Sequence, residues 1–122
     1  MGIPDLIERL EKATGPDARL DTDIMIALGQ WTERDWWSFD YQKHTPANLT
    51  SSVDAALALA ERQFPGVWYH AAKGKTRADE PLYGAALMFG ADPIGQGESD
   101  GSTAIAVCIA VLKAKQAQEK AP

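Results

Sequence analysis

The chain has 122 residues and a single cysteine, Cys108. No internal disulfide can form, which accords with a reducing compartment. Histidine is almost as scarce, with only His44 and His70. Two distant histidines and one cysteine do not make zinc-ligand spacing. Asp92, Glu98 and Asp100 share a Gly-rich stretch but miss the spacing of a calcium loop. The longest apolar run, residues 104–112, is too short to span a bilayer. The opening "MGIPDLIERLEK" carries charge early and has no apolar core, so no secretory leader is expected. Cations are outnumbered, 12 Lys and Arg against 17 Asp and Glu, for a net charge of −5. That balance argues against extended nucleic-acid or anionic-membrane binding. There is no P-loop, no nucleophile elbow and no dinucleotide fingerprint; "GQGESDG" lacks the glycine spacing. No cofactor, metal or catalytic residue is expected.

What is present reads as one domain with an ordinary globular composition. Residues 4–13 pattern as a short helix with Leu6, Ile7 and Leu10 on one stripe, stopped by Gly15-Pro16. Asp17 can cap a second helix through Leu20, Ile24 and Leu28, stopped at Gly29. In "WWSFDY" the period changes: Trp37, Phe39 and Tyr41 fall two apart, as on one face of a strand. Ser51 and Asp54 have capping-box spacing for a helix to about residue 63, with Val53, Ala56, Leu57, Ala60 and Phe64 inward. "VWYHAAKGK" and "LYGAALMFG" read as a hairpin around a polar turn. "ADPIGQGESDGS" reads as a loop with at most a short edge strand at 93–97, before a last helix over residues 102–116. The expected class is α+β: a mostly antiparallel sheet of three or four strands packed with helices, in the order α-α-β-α-β-β-(β)-α.

"AIAVCIAVL" is apolar on every side, and such a helix needs cover all round. Either the monomer encloses it or a second subunit shares it; a homodimer or higher oligomer is one expectation. Cys108 sits in its middle, where an apolar setting makes a thiol inert.

Two features suggest binding. Five aromatic rings crowd residues 31–41. Trp37, Phe39 and Tyr41 are explained by packing, which leaves Trp31 and Trp36 as candidate exposed rings for stacking or for anchoring a partner. The second feature is the run Lys73-Gly74-Lys75-Thr76-Arg77, on a strand that also carries Trp68 and Tyr69. Rings for a base and Lys73, Lys75 and Arg77 for phosphates would suit a nucleotide. The plainer reading is a solubilising hairpin tip, balanced by Asp79 and Glu80.

Three stretches resemble small, uncharacterised phage and prophage proteins of the alpha-beta-alpha sandwich type: "DLIERLEKATGPDARLDTDIMIALG", "LTSSVDAALALAERQFPGVWYHA" and "GESDGSTAIAVCIAVLKA". The resemblance implies a non-enzymatic accessory protein of the host cytoplasm. By analogy with other small phage proteins, its work is counter-defence, through sequestering a nucleotide immune signal or occluding a host defence protein. A structural or assembly role, and a small hydrolase-like enzyme built on Cys108 or on a His–carboxylate pair, are the competing expectations.

Overall fold

The computed structural model describes residues 2–30, 47–75 and 78–120. Helix α1 (Ile3–Lys12) starts with Pro4 in its first turn, where a missing N–H costs nothing, and buries Ile3, Leu6, Ile7 and Leu10. In α2 (Ala18–Ala27) the Asp17 side chain accepts from the Leu20 N–H at 3.0 Å. Its end is a Schellman turn: Gly29 takes φ 73°, its N–H donates to the Ile26 carbonyl, and the Gln30 N–H donates to the Met25 carbonyl at 2.9 Å. Arg9 on α1 meets Asp23 on α2 at 2.7 Å, joining the two helices.

Helix α3 (Val53–Gln63) begins one residue later than the Ser51–Asp54 spacing predicts. Ser52 is the cap, its hydroxyl accepting from the Ala55 N–H at 3.2 Å, while the Ser51 hydroxyl turns back to the Asn48 carbonyl. Both serines have the right chemistry, and the turn at Asn48 (φ 54°) decides between them. The face it buries is Ala56, Leu59, Ala60 and Phe64. Val53 and Leu57 are only half-buried, and Leu59 replaces them as the deepest residue.

Strands β1 (Trp68–Lys75), β2 (Pro81–Phe89) and β3 (Asp92–Ser99) follow as an antiparallel meander in spatial order β1-β2-β3. Pairing runs from Trp68↔Met88 to Lys75↔Pro81 on one side of β2, and from Tyr83↔Ser99 to Phe89↔Asp92 on the other. Gly90, at φ 61°, makes the tight β2–β3 connection. The segment expected as a loop with a short strand at 93–97 is therefore a full strand of eight residues.

Helix α4 (Thr103–Lys120) runs further than the expected 116 and packs on β3 and β2, with α3 and α1 against its other sides. Ser102 caps it, accepting from the Ile105 N–H at 3.1 Å. Glycines explain why β3 lies against it. A Cβ on Gly97 would sit 2.8 Å from both the Ala110 nitrogen and the Ile109 Cβ, and closer still to the Ala106 carbonyl oxygen. A Cβ on Gly95 would sit 2.8 Å from the Ala114 nitrogen. The helix backbone thus rests directly on the strand backbone, through residues that weaken a strand on propensity alone.

All nine positions from Ala104 to Leu112 are buried within the single chain. Enclosure by the monomer is thus enough to keep this helix from water. The class is α+β, as expected, with the described order α-α-α-β-β-β-α. The strand expected over Trp37, Phe39 and Tyr41 lies outside the described residues. Among the described residues, no helix is long and apolar enough to cross a membrane.

Candidate functional site

Pleating sorts the sheet residues onto two faces. The odd-numbered positions Ala85, Leu87, Gly97 and Ser99 face α4 and are buried. The even-numbered positions of β2, together with Gln96 and Glu98 beyond the register shift in β3, lie on the opposite face and are half-buried or exposed. β1 differs from both its neighbours, because every one of its eight residues is exposed, whichever face it occupies. Helix α4 covers β3 and β2 and barely reaches β1.

The exposed rings gather at one end of this strand. Trp68 and Tyr69 are 44% and 49% exposed, and Phe89, at the adjoining end of β2, is 41% exposed. Trp68 does not hang free. Its indole N–H donates to the Gly90 carbonyl at 3.0 Å, and its ring leans on His70 with centroids 5.6 Å apart. An apolar side chain fixed in place yet open to water suits an interface anchor, because little rotamer entropy remains to be lost. Beside Tyr69, on the helix side, a shallow groove of about 250 Å³ runs between α3 and β1, lined in part by Leu57, Val67 and Leu87.

The cations occupy the other end. Lys73 and Lys75 lie on the helix side of the sheet, with Tyr69, whereas Trp68 and His70 lie on the opposite side. The Lys73 ammonium stands 5.3 Å from the centre of the Tyr83 ring, a cation–π contact, and Lys75 pairs with Asp79 at 3.2 Å. The structure therefore does not bring Trp68 together with Lys73 and Lys75. The other residues singled out from the sequence, Trp31, Trp36 and Arg77, lie outside the described residues, as does His44. Sequence reasoning passed over His70 and Phe89 as surface residues. Counting parity along the hairpin would have placed His70 beside Trp68, but no sequence signal marks Phe89.

A second depression, of about 470 Å³, lies over three cross-strand rows, of which the middle one, Ala71, Ala85 and Gly97, is wholly of small residues. Glu11, Lys113 and His70 reach its margin. Among the described residues, no group of three His, Cys, Asp or Glu side chains could hold a metal ion.

Cys108 is wholly buried, and its Sγ donates to the Leu49 carbonyl at 3.4 Å. Burial, with Asp21 nearby adding to it, pushes the thiol far above its ordinary range. It has no thiolate to offer at neutral pH and no open approach. Native protein should therefore react with a thiol-labelling reagent orders of magnitude more slowly than protein unfolded in guanidinium, followed by mass spectrometry at matched pH; similar rates would contradict the packing of α4.

The chain was also compared with known proteins. No protein family, no curated protein and no solved structure matches it.

Proposed function

We propose that the protein is a non-enzymatic binding protein that grips another polypeptide through the β1 side of its sheet. In the phage-type setting the sequence resembles, the partner is a host defence protein in the cytoplasm, held out of action by occupation of its surface. One observation carries the reading: β1 is exposed along its whole length while presenting Trp68 and Tyr69, with Phe89 beside them. Exposed rings on both faces of one strand end offer anchors to a partner that wraps the edge, and aromatic anchors dominate the energetics of protein interfaces.

Sequestration of a nucleotide is the weaker reading. A base on Trp68 would lie on the face away from Lys73 and Lys75. A photo-crosslinking amino acid in place of Tyr69 tests the proposal in a bacterial host. It is expected to trap one protein strongly, while the same group at exposed Glu119, on the far end of α4, traps none. Equal yields at both positions would overturn the proposal. So would a nucleotide that stays bound at one per chain through purification and disappears on Trp68→Ala.

A further inference from the structure

We infer that β1 takes an extended, acidic segment of its partner as an added strand along its outer edge; the inference rests on the preceding assignment of β1 as the binding surface. Among the described residues, β1 is hydrogen-bonded on the β2 side only. No described residue pairs with its outer edge, whose N–H and C=O groups are a template for another strand. The two edges of the sheet are built differently. β3 has Pro93 near its start, a register shift opposite Leu87 and Met88, and Asp92 and Glu98 along it. Those are the usual devices that blunt an edge. β1 has no proline, and its register with β2 is continuous over all eight residues. It is the edge left fit for pairing.

Charge selects the occupant. From Trp68 to Lys75 the strand carries His70, Lys73 and Lys75 and no carboxylate, in a chain whose net charge is −5. Pairing with a second copy of β1 would add that copy's lysines to the same seam, with no carboxylate from the added strand to offset them. An acidic strand gains from the same lysines. The face assignment also fixes the pattern that fits. Side chains of the added strand on the helix side run from the groove beside Tyr69 towards Lys73 and Lys75, so acids belong there at the lysine end. Side chains on the other face meet Trp68 and His70, so apolar or aromatic residues belong there.

The probe is an eight-residue peptide alternating valine and glutamate, capped at both ends and matched to the length of β1. On its addition, alternate amides of β1 are expected to gain protection from hydrogen exchange. A valine–lysine peptide should bind at least roughly tenfold more weakly, a difference of about 1.4 kcal/mol. The double variant Lys73→Glu and Lys75→Glu, with its fold verified by circular dichroism, should invert that preference. Methylating alternate backbone nitrogens of the peptide should abolish the protection. If neither peptide protects β1 while the Tyr69 crosslink still traps a protein, strand addition is overturned and the binding surface stands. If the crosslink traps nothing, the assignment of the surface falls by itself. Equal binding of both peptides overturns the charge argument, and a doubled mass in sedimentation without any peptide gives the edge to a second copy.

Discussion

Gly97→Ala is expected to destabilise the protein by about 3 kcal/mol or more and to lower its Tm by on the order of 10 °C, although it adds only one methyl group. Small-to-large changes are tolerated when the obstacle is the flexible tip of a side chain. Here the obstacles are backbone: the Ala110 nitrogen at 2.8 Å and the Ala106 carbonyl oxygen nearer still. The methyl cannot rotate away, and α4 cannot retreat without unpacking from β2, α1 and α3 together. Gly84→Ala is the control on the same sheet. Its Cβ would meet only the Ala72 carbonyl oxygen at 4.0 Å, an ordinary contact, and its cost should stay within about 0.5 kcal/mol. Urea unfolding of both variants makes the comparison. Equal midpoints would mean that β3 and α4 are not in backbone contact.

Asp21→Ala is expected to cost roughly 2–5 kcal/mol. Asp21 is a buried carboxylate at the joint between α2 and the chain leading into α3. It accepts from the Thr50 N–H at 2.8 Å and also interacts with the Leu49 backbone. The Thr50 hydroxyl accepts in turn from the Asp17 N–H at 2.7 Å. Truncation leaves buried backbone donors without an acceptor, the costly way to lose a hydrogen bond. Asp21→Asn keeps an acceptor and should lose much less.

The same pair separates a pH effect. Burial raises the Asp21 carboxyl above its ordinary 3.8, with Asp17 adding to the rise, and the bonds from Thr50 and Leu49 only partly oppose it. A raised folded-state value means that the native state holds this proton more tightly than the unfolded chain does. This group's contribution is therefore full below about pH 4, declines as pH rises through the raised value, and is level above it. Wild type should lose stability against Asp21→Asn across that acid window. A constant difference from pH 3 to 7 would show that Asp21 ionises as freely in the fold as outside it.

Much of this architecture is legible in the residues. Leu6, Ile7 and Leu10 give α1, Asp17 and Gly29 bracket α2, and two apolar runs around a polar turn give the hairpin. The failures have physical causes. Ser51 and Ser52 are equivalent as chemistry, and only the turn at Asn48 distinguishes them. Leu59 is buried because α4 lies across that side of α3, a tertiary fact that periodicity does not carry. β3 reads as a loop because Asp, Pro and Gly are poor strand formers, yet Gly95 and Gly97 are what α4 needs beneath it. The exposed surface was half visible. Trp68, Lys73 and Lys75 stand out by type, but which of them share a face depends on strand register. Trp31, Trp36 and Arg77 lie outside the described residues and contribute nothing to the surface assigned above.

The thin cover over β1 has an energetic consequence. With no buried residue of its own, this strand has one ladder, to β2, among the described residues, and peeling it away exposes little core. Sub-global opening of β1 is correspondingly cheap, while release of α4 amounts to unfolding the whole domain. The molecule thus unites a stiff centre with a margin that can yield, and a ligand that stiffens the margin forfeits some entropy without disturbing the rest.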